Sequence, residues 1–269
     1  FTHWIGGTGV IVFLMTVLPL TGGSWIHLLR AESPGPSVGK LVPRMRHTAG
    51  ILYLIYLCMT IIEIVLLLFG GMNWFDAVTI SFGTAGTGGF SILNSGFVTY
   101  SSYVKIVVAV FMMLFGVNFN VYFLMLNRKF VQALRCEELR YYLMIIGIST
   151  LIITLNILSI CGSFGKALEE AFFQVSSIIT TTGFASADFN LWPQTSKTIL
   201  VLLMFIGACA ESTGGGIKVS RLVILIKTIR KELASIIHPR SVKKIKMEGK
   251  PVEHEVLRST NVFMITYVI

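Results

Sequence analysis

The chain has 269 residues, 54% of them hydrophobic and only 13% charged, with a mean hydropathy of +0.77. A soluble domain carries about a quarter charged residues, so this composition excludes a soluble globular fold and indicates a polytopic membrane protein. The formal charge of +9 does not point to nucleic acid: of the 22 Lys and Arg, four fall in 30–46, four in 128–140 and eleven in 218–258, the alternate connections that the positive-inside rule places in the cytoplasm.

In chain order, no signal-peptide pattern opens the sequence, and its first twenty residues are already apolar, so it is expected to begin inside a larger protein. A spanning helix is predicted over 5–29, then a cytoplasmic loop with Pro and Gly over 30–43, then a second helix over 48–69. Gly70 and Gly71 end that helix, and Asn73 or Asp76 starts a short amphipathic segment over 73–81. A glycine- and threonine-rich tip follows: Thr84-Ala85-Gly86-Thr87-Gly88-Gly89-Phe90. The chain returns through one helix over 103–126 to a basic loop over 127–140. The next helix spans 141–160 and breaks at Cys161-Gly162-Ser163, before a second amphipathic segment over 165–178. A second tip, Thr180-Thr181-Thr182-Gly183-Phe184, comes next. The apolar segment over 198–226 is interrupted by Gly207-Ala208-Cys209-Ala210-Glu211-Ser212-Thr213-Gly214-Gly215-Gly216. A basic stretch runs to Arg258, and an apolar run over 262–269 is shorter than the roughly 20 residues of a span. The whole reads as an internal fragment. Cys58, Cys136, Cys161 and Cys209 show neither metal-ligand spacing nor a disulfide framework.

The two tips carry the functional signal. Counted from Gly88 to Gly183 they lie 95 residues apart, and each sits between a short amphipathic segment and a long apolar one. Irregular backbone at membrane depth is tolerated only where it is buried in protein or lines a watery cavity. Carbonyl and hydroxyl oxygens there can replace the hydration shell of a cation, and the preceding helices turn partial negative ends toward it. Two complete units of helix, short re-entrant helix, tip and helix, with a half unit at each end, imply four in the full chain around one ion path. The candidate filter residues are Gly86, Thr87, Gly88 and Gly89 with Thr181, Thr182, Gly183 and Phe184, and K⁺ is expected at Gly88, Thr182 and Gly183. Thr87 and Thr182 would support the carbonyls.

Three successive glycines in 207–216 cost about 1 kcal/mol each in a helix, more than close helix packing requires. An unwound gate across the ion path is expected there, with few packed contacts, and Lys218 and Arg221 add positive charge beside it. The segment lacks the spacing of a phosphate-binding loop. Glu63, mid-helix, reads as a structural residue, protonated or hydrogen-bonded, and Asn118 and Asn120 as interhelical hydrogen bonders.

With those residues laid out, the chain resembles the Trk/Ktr/HKT superfamily of potassium transporters, in particular its bacterial TrkH/KtrB branch. His3-Trp4-Ile5-Gly6-Gly7-Thr8-Gly9-Val10 looks like the start of the first inner pore helix. The two tips look like the second and third filters, and Ala210-Glu211-Ser212-Thr213-Gly214-Gly215-Gly216-Ile217-Lys218 is similar to the third repeat's intramembrane loop. The resemblance implies an all-α polytopic fold with helix–pore loop–helix units arranged pseudo-fourfold, and K⁺ uptake across the plasma (inner) membrane rather than enzymatic activity. It also implies homodimerisation and a cytosolic nucleotide-binding regulatory subunit of the TrkA/KtrA type, through which alone a nucleotide would act. The expected division is 1–30 as the end of a first repeat, 31–47 as a loop, 48–126 as the second repeat, 127–140 as a loop, 141–230 as the third repeat, 231–258 as a basic loop and 259–269 as the start of a fourth. Glu211 departs from the small residue the resemblance leads one to expect, and it could pair with Lys218. The run from Arg240 to Lys246, with Lys243 and Lys244, serves either topology and anionic lipid or the docking of a regulator. Two rivals stay open: a Na⁺-permeable or Na⁺-coupled transporter of the same fold, and an integral-membrane enzyme using Asp188, Glu169 and Glu170.

Overall fold

A computed structural model describes residues 1–7, 42–237, 245–252 and 254–269. Most of the helix expected over 5–29, the loop over 30–43 except Val42 and Pro43, which open a helix, and Lys243 and Lys244 lie outside the described residues. Helix α1 (Thr2–Gly7) is followed by α2 (Val42–Phe69), of which Gly50–Phe69 is long and apolar enough to cross a membrane. Gly71 at φ +81° ends that helix with Met72 N–H on the Leu67 carbonyl, a close suited to glycine because an L side chain would crowd it. Asn73 then precedes α3 (Trp74–Ala85).

The return from the first tip differs from the single helix expected over 103–126. Ser101 accepts from Val104 N–H to start α4 (Ser102–Phe115), and Asn118 accepts from Asn120 N–H to start α5 (Phe119–Leu126). The two are bent by 89° at the break. Gly116, a weak helix former, and Asn118, a strong N-cap, sit where the helix ends and restarts. A short α6 (Phe130–Leu134) leads to α7 (Glu137–Cys161), a second span-length helix closed by Gly162 at φ +69°.

The second unit repeats the first: α8 (Phe164–Ile179), a tip, one 3₁₀ turn (Phe189–Leu191), and the apolar α9 (Gln194–Ile206). The amphipathic α10 (Val219–Ile237), a two-stranded antiparallel ribbon of β1 (Lys246–Met247) and β2 (Lys250–Pro251), and α11 (His254–Val268) complete the described chain.

The core is not one cluster. Trp4, Tyr56, Phe111, Phe115 and Phe119 join α1, α2, α4 and α5. Ile80, Val108, Met112, Phe97, Phe173 and Phe184 join the two units across α3, α4 and α8. A larger group gathers α7, α8 and α9 with the start of α10. Many apolar side chains on α2 and α7 remain exposed, among them Ile61, Ile62, Ile148, Leu151 and Leu155, as a lipid-facing surface requires. Glu63 is wholly buried on α2.

Candidate functional site

Both tips are closed in the same way, by backbone bonds at the C-terminal end of a short helix. In the first, Gly86 N–H reaches the Phe82 carbonyl, Thr87 N–H the Thr84 carbonyl, and Gly88 N–H the Gly83 carbonyl at 2.7 Å. In the second, Thr180 N–H reaches Ser176, Thr181 N–H reaches Ile178, and Thr182 N–H reaches Ser177 at 2.9 Å. The left-handed residues match as well: Thr87 (φ +51°) with Thr181 (φ +59°), and Gly89 (φ +65°) with Gly183 (φ +91°). Each pair is offset by 94 (181 less 87, and 183 less 89), one fewer than the 95 counted from Gly88 to Gly183. The geometric counterpart of Gly183 is therefore Gly89, that of Gly88 is Thr182, and that of Thr87 is Thr181 rather than Thr182. Matching glycine with glycine misses this register because helix termination and φ set it, and Thr182 stands where the first tip has Gly88.

A β-branched residue in the left-handed region is a conformational outlier, costing about 1–3 kcal/mol, and persists only where its surroundings hold it. Here each is held by the 207–216 loop: the Thr87 hydroxyl donates to the Thr213 carbonyl at 3.2 Å, and the Thr181 hydroxyl accepts from Gly215 N–H at 2.7 Å. The two tips also abut. A Cβ on Gly89 would collide with the Thr182 carbonyl oxygen, and one on Gly214 would lie 2.9 Å from the Thr180 carbonyl. Beside them, α1, the first tip and the loop enclose an open cavity of about 420 Å³ lined by Thr2, His3, Gly6, Gly7, Gly86 and Thr213. Phe184 is buried against Phe97 at 4.8 Å between ring centroids, whereas Phe90, at the equivalent place, is exposed.

The loop itself departs from the expectation of few packed contacts. Ala208, Cys209 and Ala210 are buried. Cys209 N–H donates to the Gly116 carbonyl, Thr213 donates through both its N–H and its hydroxyl to the Phe115 carbonyl, and Phe119 N–H donates to the Glu211 carbonyl. These are the backbone groups that the α4/α5 break leaves without helical partners. Two interrupted helices thus satisfy one another, which is why an irregular segment can be buried here. Close approach of the loop's two ends sets its shape: Gly207 (φ +73°) and Gly216 (φ +80°) pack so tightly that a Cβ on either would meet the other's backbone.

Glu211 does not pair with Lys218. Its carboxylate accepts from the Asn120 side chain, and the Lys218 ammonium donates to the Gly214 carbonyl. Arg221 lies just past the loop: its guanidinium donates to the Ile217 carbonyl at 3.4 Å and lies 3.9 Å from the centre of the Phe263 ring on α11.

Glu138, in the first turn of α7, was not singled out by the sequence reading. It is buried, and its Oε1 accepts from Ala210 N–H at 2.6 Å and from Ser220 N–H at 3.0 Å, while its Oε2 accepts from the Asn118 amide at 3.3 Å. One carboxylate therefore ties the loop at Ala210, and the start of α10 just beyond it, to the α4/α5 break. Its neighbour Glu137 pairs with Lys227 on α10, which donates as well to the Lys246 carbonyl of β1. An acidic pair after a helix N-cap reads in sequence as macrodipole compensation, so nothing local marks Glu138 as a ligand of distant amides. Ser212 donates to the Cys209 carbonyl, closing the loop's internal turn. Among the described residues no group of His, Cys, Asp and Glu could hold a metal ion, and the four cysteines are free.

The chain is similar to known proteins over its whole length. The family model TrkH, described as a cation transport protein, matches residues 1–269. The Trk system potassium uptake protein TrkH of Escherichia coli K12 is 34% identical over 274 residues, covering 99% of this chain and 56% of its own length. TrkG of the same organism is 34% identical over 276 residues, with the same coverage. The crystal structure of the potassium transporter TrkH from Vibrio parahaemolyticus superposes with a TM-score of 0.84 at 32% identity, covering 100% of this chain and 55% of that one. The chain spans a little over half the length of the relatives it matches. By a family match that runs from its first residue to its last, the chain belongs to the TrkH family of cation transport proteins, a family of membrane transporters within the Trk/Ktr group and not of enzymes.

Proposed function

We propose that this chain supplies two of four filter segments, and the gate beneath them, in the pore-forming subunit of a K⁺-uptake system. The observation that carries the reading is the pair of tips, alike in backbone conformation and hydrogen bonding, which meet at Gly89 and Thr182 and are held from one side by the same loop. Backbone oxygens near Gly88 and Gly89, and near Thr182 and Gly183, would replace part of a K⁺ ion's hydration, with α3 and α8 turning their negative ends toward it. Potassium rather than Na⁺ is favoured by the relatives, which are named as potassium uptake proteins. The pseudo-fourfold closure, the homodimer, the plasma-membrane location and a cytosolic regulator of TrkA/KtrA type belong to this reading of the whole protein.

The 207–216 loop would block conduction as a docked plug, its amides and carbonyls satisfied by the α4/α5 break, by Glu138 and by the threonines of both tips. Opening would exchange those bonds for water, so it needs an energetic input from outside the pore.

The test is Gly183→Ser in the full-length protein. Open space surrounds Gly183, so the side chain fits, but φ +91° is strained for any L residue. The K⁺/Na⁺ flux ratio in proteoliposomes is expected to fall while insertion is retained. An unchanged ratio removes the filter assignment.

A further inference from the structure

Away from the tips and the gate, a charged network is buried between the two units. Lys105 on α4, Glu170 on α8 and Ser186 beyond the second tip are 8%, 6% and 2% exposed. The Lys105 ammonium lies 3.0 Å from Glu170 Oε1 and 3.8 Å from Glu169 Oε1, and the Ser186 hydroxyl donates to Glu170 Oε2. Glu170 therefore spends one oxygen on the neighbouring unit and the other on the chain leaving the tip.

Glu170 lies ten residues before the helix cap Thr180, so it stands about 15 Å back along α8 at 1.5 Å per residue. The chain from Thr181 to Ser186 runs back over that distance, and Ser186 comes to rest beside Glu170. At its start this segment is tied by Thr182 N–H and Gly183 N–H to the Ser177 carbonyl. Along its length the Phe184 carbonyl accepts from the Ser177 hydroxyl at 2.6 Å, and the Ala185 carbonyl accepts from Phe97 N–H at 2.8 Å. Ser186 on Glu170 is the anchor at its far end. Asp76, ten residues before the cap Gly86, occupies the equivalent place in the first unit, is partly exposed, and has no ion pair among the described residues.

We infer that Glu170, oriented by Lys105, is a positioning residue for the second filter: it fixes the far end of the 182–185 segment and so sets the spacing of the carbonyls that discriminate between cations. The inference rests on the filter reading given above. A carbonyl ring separates K⁺ from Na⁺ through cavity size or dipole field, and either is altered when one end of the segment is released. Lys105 partners the buried carboxylate and aims it, since a buried charge is costly unless paired. Removing one member of such a pair is far more damaging than neutralising both.

Three variants of the full-length protein in proteoliposomes separate positioning from mere packing: Ser186→Ala, Glu170→Gln, and Lys105→Met combined with Glu170→Gln. Gly183→Ser is the reference, and both the K⁺/Na⁺ flux ratio and the thermal midpoint are measured. Ser186→Ala, which leaves the ion pair whole, is expected to lower the ratio by up to about tenfold, with a smaller fall in midpoint than Glu170→Gln. The double variant is expected to recover stability relative to Glu170→Gln without recovering selectivity. If Gly183→Ser lowers the ratio and all three brace variants keep it, the positioning role is refuted while the filter assignment stands. If Gly183→Ser leaves the ratio unchanged, both fall.

Discussion

Replacing Glu138 by alanine removes a side chain that holds both Ala210 within the proposed gate loop and Ser220 just beyond it. Its Oε1 receives Ala210 N–H at 2.6 Å and Ser220 N–H at 3.0 Å, and the site is buried, so neither amide gains water in exchange. A hydrogen bond to a charged group contributes about 1.5–3 kcal/mol; of Glu138's three bonds, one binds the loop at Ala210 and one holds Ser220 at the start of α10, just beyond it. Part of that loss falls on both the docked and the undocked arrangements, so we take about 3 kcal/mol as the change in the docking equilibrium. At about 1.4 kcal/mol per tenfold, the undocked population rises by roughly two orders of magnitude. The expected result is a leak: K⁺ flux through full-length Glu138→Ala in proteoliposomes, without any regulator, rises well above wild type. Backbone amides over 208–220 should also exchange hydrogen faster, because exchange reports local opening. Glu138→Gln keeps one acceptor oxygen and should lie between the two. A Glu138→Ala protein that inserts normally, with wild-type unstimulated flux and wild-type exchange over 208–220, would refute the assignment of Glu138 as the loop's latch.

Other substitutions probe the same geometry from different sides. Thr181→Val strips the acceptor of Gly215 N–H and leaves a β-branched residue at φ +59° without its tether; the loss of about 1–1.5 kcal/mol should raise unstimulated flux close to tenfold, and Thr181→Ser should restore the wild-type level. Gly89→Ala drives a methyl group into the Thr182 carbonyl oxygen at a residue with φ +65°; a backbone cost of at least about 1–2 kcal/mol should abolish K⁺/Na⁺ discrimination, read as Na⁺ competition against K⁺ uptake. Gly147→Ala, inside α7 with nothing within 4 Å of the added methyl, should stabilise by about 0.5–1 kcal/mol and raise the thermal midpoint with flux unchanged. A fall in the midpoint there would mean that α7 packs against a partner at Gly147.

Membrane residence, the order of the elements and the two tips could be read directly from residue types, because each follows from local rules. Long apolar runs must be helical where no water can satisfy the backbone, and Gly71 and Gly162 close their helices where glycine alone is comfortable at positive φ. The α4/α5 break was partly visible in Gly116 and Asn118, yet the fourteen residues before it, polar only at Ser102 and Lys105, made one continuous helix the simpler reading. What only the folded structure decided is how distant polar groups meet. The tip register depends on where two helices end and not on which residues are glycine, so Gly183 answers to Gly89 instead of Gly88. Glu211 met Asn120 and Lys218 met the Gly214 carbonyl, each from a left-handed backbone position that residue types alone do not announce. The loop proved well packed because its orphaned amides and carbonyls face those of a second interrupted helix nearly a hundred residues earlier, with Glu138 between them. Backbone hydrogen bonding must be satisfied throughout a buried region, but the amino-acid sequence states only which groups will need partners, and the packing of helices chooses them.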